Sequence, residues 1–201
     1  MPTARRPRRS NADMSAQTQA SILSAGIESL ASLGYAGTTM ADIAQRVGLS
    51  RAALFYHFEN KNALMVAVIN ALYDNMGRAY REAAHPALTA AEQLLAVFDV
   101  AYRQTQGTDQ MALVELLLAA RRDSTFCTAV TPTIEARDRI FQDAWHTLIE
   151  RHGGQREQLD LVRDFAVSVF RGITICRCLG TDPASFERQN ALLRKLLMDS
   201  L

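Results

Sequence analysis

Polar and apolar positions repeat at helical spacing along almost the whole chain. Between residues 10 and 33, Ile22, Leu23, Ile27 and Leu30 fall on one face of a first helix, and Gly34 supplies its stop. Ser10 followed by Asp13 resembles a capping box at its start. Tyr35 comes next as a hydrophobic anchor, and Thr38 and Thr39 are placed to cap the next helix. From Met40 to Phe58 the chain reads MADIAQRVGLSRAALFYHF. Ile43, Ala44 and Val47 share a face there, and Gly48 permits a chain reversal at positive φ. Leu49 packs into the corner, and Ser50 caps a second short helix beginning at Arg51. Ala44 is small where the two helices cross, and Leu54 turns the second onto the first. This spacing predicts a helix-turn-helix, whose second helix enters the DNA major groove. An ordinary helical hairpin in an all-α domain has the same pattern.

Asn60 caps a long helix over 61–83, ended by His85-Pro86, whose broad apolar face (Leu64, Met65, Val68, Ile69, Leu72, Tyr73, Met76) links the head to the C-terminal helices. Thr89 with Glu92 is a capping box ahead of Leu94, Leu95, Phe98, Ala101 and Tyr102, and Gly107 ends that helix. Residues 110–120 are apolar nearly all round. Glu115 is the single charge among them, either facing solvent or a buried acid at a pocket. A helix over 133–151 carries Ile134, Arg137, Phe141, Trp145 and Leu148 on one stripe, before Gly153-Gly154. Another over 156–179 carries Leu159, Val162, Phe165, Ala166, Val169, Gly172, Ile173 and Cys176. Asp182-Pro183 opens the last as N-cap and first helical residue, with Phe186, Leu193, Leu196 and Leu197 on its apolar side. No strand-like alternation of useful length occurs, so the fold class is all-α with about nine helices. The expected organisation is a basic disordered arm at 1–9, a helix-turn-helix domain at 10–60 and a helical domain at 61–201.

Composition narrows this picture. Of 201 residues, 48% are hydrophobic, as in a folded globular protein. No apolar run reaches the roughly 18 residues of a membrane span, and the N-terminus lacks a secretory core segment, so a cytoplasmic location is expected. Cys127, Cys176 and Cys178 show neither zinc spacing nor an evident pairing scheme, and the four histidines form no metal constellation. No metal or cofactor is expected. The net charge of +1 is unevenly spread. Residues 1–61 hold seven basic against four acidic side chains, a net of +3, whereas the rest holds 15 against 17, a net of −2. Basic character therefore sits at the helix-turn-helix end, as phosphate attraction requires. Arg5, Arg6, Arg8 and Arg9 either track phosphates or a minor groove, or form a solvated tail.

The N-terminal third resembles the DNA-binding domain of the TetR family of transcriptional regulators. The residues that carry this are Gly34-Tyr35, Thr38-Thr39, Ile43-Ala44, Val47-Gly48-Leu49-Ser50, Leu54, Tyr56-His57-Phe58, Lys61 and Leu64, in order and without a gap over about 50 residues. The rest is similar more loosely, through LLLAARRDS, FRGI and LGTDP. Ala52 stands where many members carry Gly, and Ala53 where many carry Thr. The resemblance implies that Arg51, Ala52 and Ala53 face base edges. Of these, Arg51 alone can bond guanine bidentately, while the alanines offer methyl contacts. It also implies phosphate contacts from Thr39, Ser50, Tyr56, His57 and Lys61. His57 has the alternative of packing or capping the helix end, and Tyr56 that of core with its hydroxyl at the surface. Phe55 and Phe58 are assigned to core.

One recognition helix makes too few base contacts for genomic specificity, so a homodimer on a palindromic double-stranded operator is expected. The last two helices are the dimer candidates, with Gly172 allowing close approach and Phe186, Leu193, Leu196 and Leu197 supplying apolar area. Plain intramolecular core is the alternative for each. The middle helices would surround an effector pocket, walled by Phe98, Tyr102, Trp145 and Phe165 with Glu115, Arg137 and His146 as polar contacts. Core packing is again the alternative. Aromatic walls point to an apolar or amphipathic effector that releases a repressor. No Gly-rich phosphate loop, nucleophile elbow, metal motif or paired-carboxylate signature supports an enzyme. The rival reading is a helical ligand- or protein-binding module without sequence-specific DNA binding.

Overall fold

A computed structural model of the chain describes residues 11–201. The arginines at positions 5, 6, 8 and 9, and the Ser10 half of the capping box, lie outside the described residues. Nine helices and no strand occur among the described residues: α1 Asn11–Gly37, α2 Met40–Arg46, α3 Arg51–His57, α4 Lys61–Ala83, α5 Ala90–Gln104, α6 Thr108–Arg122, α7 Ser124–His152, α8 Arg156–Arg177 and α9 Pro183–Ser200. The expected stop at Gly34 is a break inside α1. Gly34 has φ 69° and ψ 175°, which only a residue without Cβ adopts readily, and one further helical turn comes after it.

The caps expected from the sequence form. Asn60 Oδ1 accepts from the Ala63 N–H at 2.9 Å at the start of α4, Thr89 and Glu92 complete a reciprocal box at α5, and Asp182 accepts from the Ala184 N–H ahead of Pro183. The start of α7 differs. It begins at Ser124, nine residues before the expected Thr133, with Asp123 accepting from the Phe126 N–H at 3.0 Å. Pro132 therefore sits within the helix, at a cost of about 3 kcal/mol for an interior proline. Phe126 and Val130, one turn apart on the same face, are fully buried, and burying two such side chains offsets that cost at roughly 1.5–3 kcal/mol each.

Two apolar cores result. The first joins Ile22, Leu30, Ile43, Leu54 and Phe58 of the head to Leu64, Met65 and Val68 of α4, Leu113 and Leu116 of α6, and Phe126 and Val130 of α7. The second joins Leu94, Phe98 and Tyr102 of α5, Trp145 and Ile149 of α7, Leu159, Val162 and Phe170 of α8, and Phe186, Leu193 and Leu197 of α9. The head thus shares its core with three helices beyond residue 60, and α7 runs from one core into the other.

Candidate nucleic-acid interface

The helix-turn-helix is assembled from short-range bonds. Thr39 Oγ1 accepts from the Asp42 N–H at 3.1 Å and caps α2. The turn closes through Gly48 N–H to the Gln45 carbonyl at 3.2 Å and Leu49 N–H to the Ala44 carbonyl at 2.9 Å, with Gly48 at φ 68°. Ser50 Oγ accepts from the Ala53 N–H at 3.1 Å and caps α3. Ile43, Ala44 and Leu54 are buried where α2 and α3 cross.

Behind this unit lies a polar spine. Thr38 Oγ1 donates to the Gly34 carbonyl at 2.8 Å and lies 3.0 Å from Ser29 Oγ, which donates to Asp42 Oδ2 at 2.6 Å. Arg46 Nε meets the same oxygen at 2.9 Å. The Ser29 hydrogen bond, aided by Arg46, holds the Asp42 carboxyl below the usual carboxylate range against the opposing effect of burial. Ser29 and Thr38 are buried polar groups with partners, so the spine orients α2 on α1 without an unsatisfied hydroxyl at either residue.

The outer face of α3 carries Arg51, Ala52, Phe55 and Tyr56, all exposed, with Ala53 and His57 half-buried beside them. Tyr56 is 86% exposed and its ring meets that of His57 edge-on, so it is not core. Phe58 is buried as expected, but Phe55 is 43% exposed, which corrects its assignment to core. The reason is phase: Phe58 lies four residues after Leu54, on the inner face, whereas Phe55 lies four after Arg51. Phe55 is the residue on this surface that sequence reasoning missed, and that spacing was the available signal.

Lys61 sits half-buried at the start of α4. Its Nζ donates to the Tyr35 carbonyl at 2.7 Å and lies 3.8 Å from the centre of the Tyr35 ring, and burial pushes its pKa down. Its ammonium thus already has partners within the protein.

The expected pocket residues do not all converge. Phe98, Tyr102 and Trp145 share the second core, where Phe98 and Tyr102 flank Phe170 at ring distances of 5.2 and 5.8 Å. The buried Trp145 Nε1 has no hydrogen-bond partner among the described residues. The other four lie elsewhere. Phe165 is exposed on α8; Glu115 accepts from the Tyr35 N–H at 3.3 Å; Arg137 donates to Asn70 and Asp74 of α4, at 2.8 Å each. His146 lies between Asp160, at 3.0 Å, and the Arg156 guanidinium, at 2.6 Å. Two open clefts, of about 470 and 440 Å³, lie between α1, α4 and α6 and between α4 and α5, and none of the seven residues lines either. No group of three or more His, Cys, Asp or Glu among the described residues could hold a metal ion, and no described helix is long and apolar enough to cross a membrane.

Phe186, Leu193 and Leu197, expected at a dimer interface, are buried in the chain's own second core, and Leu196 packs against it. Phe186, Leu193 and Leu197 have no surface left to offer, because α9 turns them onto α5 and α8, whereas Leu196 is half-buried. Gly172 differs, being exposed with open space where a Cβ would stand. It belongs to a stripe on α8 formed by Leu161, Phe165, Ser168, Gly172 and Ile175, all exposed and spaced by alternating steps of four and three, with exposed Leu179 just past the helix end.

Residues 22–68 match the sequence pattern of bacterial regulatory proteins of the tetR family. Over 184 residues, covering 90% of this chain and 89% of the relative, the sequence is 27% identical to the HTH-type transcriptional regulator CymR of Pseudomonas putida. Among solved structures, a TetR transcription regulator from Haloarcula marismortui superposes with a TM-score of 0.75 at 19% identity, over 92% of this chain and 99% of that one. A TetR-family regulator from Rhodococcus sp. superposes with a TM-score of 0.72 at 18% identity, over 92% and 98%.

Proposed function

We propose that the chain is a transcriptional regulator of the TetR family, whose pattern residues 22–68 match, and that it acts as a cytoplasmic repressor that binds a palindromic operator as a homodimer and leaves it when a small effector binds. The observation that carries this reading is the outer face of α3. A seven-residue helix, capped by Ser50 and pinned by buried Leu54, holds Arg51, Ala52 and Tyr56 outward and exposed to solvent. In this reading Arg51 reads a guanine edge, while Ala52 and Ala53 offer methyl contacts. The capped helix starts at Thr39 and Ser50, together with Tyr56 and His57, meet phosphates. The N-terminal arginines extend the same contact.

Dimerisation is assigned to the exposed stripe of α8, which includes Gly172. Large apolar side chains at heptad spacing on a solvent face are what a symmetric helical interface requires. The effector site is assigned to the aromatic wall of Phe98, Tyr102 and Trp145. The indole N–H, without a partner among the described residues, offers one directional bond to an otherwise apolar or amphipathic ligand.

Selection of bound fragments from random duplex DNA tests the reading. The expected result is a two-fold symmetric sequence whose binding weakens steeply, as a straight line of log affinity against log salt. A protein that enriches no sequence, or binds a heparin-like polyanion as well as any duplex, overturns it.

A further inference from the structure

Three helices of the body converge on one residue of the head. Tyr35 comes directly after the break in α1, in the link that leads to α2. Its N–H donates to Glu115 from the middle of α6 at 3.3 Å, and its carbonyl accepts from Lys61 at the start of α4 at 2.7 Å. Its ring packs, tilted by 35°, against that of Phe126 in the first turn of α7, with ring centres 4.6 Å apart. The N–H, carbonyl and ring of a single residue are thus each held by a different body helix. Gly34 makes the fit possible, since a Cβ there would meet Glu115 Oε2 at 2.9 Å. Burial, and after it the negative charge of Asp123, pushes the Tyr35 hydroxyl pKa up.

A helix break leaves backbone groups that water or local caps ordinarily satisfy. Here α6 and α4 satisfy those of Tyr35, which ties the link to both helices. Met40 opens α2 five residues later, and the polar spine from Thr38 to Asp42 passes the orientation of the link to the helix-turn-helix. Resting on the DNA-binding reading above, we propose that Tyr35 is the joint through which α6 sets the angle of the recognition helix, with Glu115 and Lys61 as its positioning residues. Two heads must stand at the spacing of their half-sites before binding. A joint that swings loses that pre-organisation without removing a single DNA contact.

The test uses the full chain, a duplex selected as above and a duplex of unrelated sequence. Glu115→Leu removes the acceptor, and Glu115→Gln keeps one. The leucine variant is expected to lose about tenfold in affinity for the selected duplex, with the glutamine variant close to wild type. Affinity for the unrelated duplex and the salt slope should stay unchanged, because the phosphate contacts are intact. Equal loss on both duplexes, or no loss, overturns the proposal. Lys61→Met should likewise lower affinity at constant slope. A slope reduced by about one makes Lys61 a phosphate contact and removes it from the joint. Exchange of the Tyr35 amide proton, monitored by NMR, tests the joint without DNA. Faster exchange in Glu115→Leu at an unchanged melting temperature supports it, and unchanged exchange overturns it. If wild type selects no duplex, the repressor reading fails while the amide still decides on the joint.

Discussion

Arg51 and Asp42 show how far one side chain reaches in this head. Of the three residues proposed to face bases, Arg51 alone carries the planar fork that matches two acceptors on guanine. Arg51→Ala should therefore weaken binding to the selected duplex by about 1–3 kcal/mol and relax the preference at one base pair per half-site. Repeating the selection with the variant checks this, and an unchanged sequence preference removes Arg51 from base reading. Asp42 acts from behind. Its folded carboxyl titrates below the ordinary range because Ser29 donates to it. Folding therefore favours the ionised form, and its contribution is present in full above the unfolded value near 4. It is lost as pH falls through the lower folded value. The stability gap between wild type and Asp42→Asn should be constant near neutrality and close below about pH 4, as urea unfolding across that range would show. A gap that persists in acid would mean that the charge of Asp42 contributes nothing. Residue identity alone does not separate Phe55 from Phe58, because both are large and apolar. Only their phase against Leu54 tells that one faces water.

The nine helices of the described residues are legible in the sequence where a local signal marks each boundary. Thr39, Ser50, Asn60, the Thr89–Glu92 box and Asp182-Pro183 all cap as their spacing implies, because a cap depends on residues two to four positions apart. The start of α7 is not legible in this way, because Pro132 is a local signal of the opposite sense. The burial of Phe126 and Val130 against other helices outweighs it, and that is a tertiary fact. The recognition helix depends most on its cap, since seven residues are far too few to be helical alone. Ser50→Ala should lower the unfolding free energy by about 0.5–2 kcal/mol, whereas Ser50→Asp retains a good cap and should leave stability near wild type. The aspartate variant separates fold from function. A carboxylate at that helix start would repel phosphate, so DNA affinity should fall although thermal melting does not. Wild-type DNA affinity in the aspartate variant would move Ser50 away from the phosphates.

The whole molecule is organised by a division of apolar surface that helical periodicity does not reveal. α8 has two apolar stripes. Leu159, Val162, Ala166, Phe170 and Ile173 build the chain's own core, while Leu161, Phe165, Gly172 and Ile175 face solvent. A sequence stripe says that a helix buries a face, not which neighbour covers it. Periodicity therefore offers Phe186, Leu193 and Leu197 to a partner although the same chain already covers them. The two stripes make opposite predictions. Leu193→Ala opens a cavity in a core completed within one chain and should cost about 2–5 kcal/mol of folding stability. Leu161→Glu with Phe165→Glu places charges on the outer stripe and leaves that core intact. The double variant should remain helical and melt cooperatively, yet sediment as a monomer, whereas the proposed interface has wild type sediment as a dimer. Two linked heads bind more tightly than one by an effective-concentration factor of roughly 10²–10⁴, so its affinity for the symmetric duplex should fall by that order. Its affinity for one isolated half-site should match that of a wild-type head, because α3 and the polar spine behind it are untouched. Analytical ultracentrifugation with fluorescence anisotropy on full and half operators measures both quantities. A double variant that stays dimeric assigns the interface to another face. One that becomes monomeric but keeps full affinity for the symmetric duplex separates DNA reading from dimerisation, and with it removes the reason for two heads.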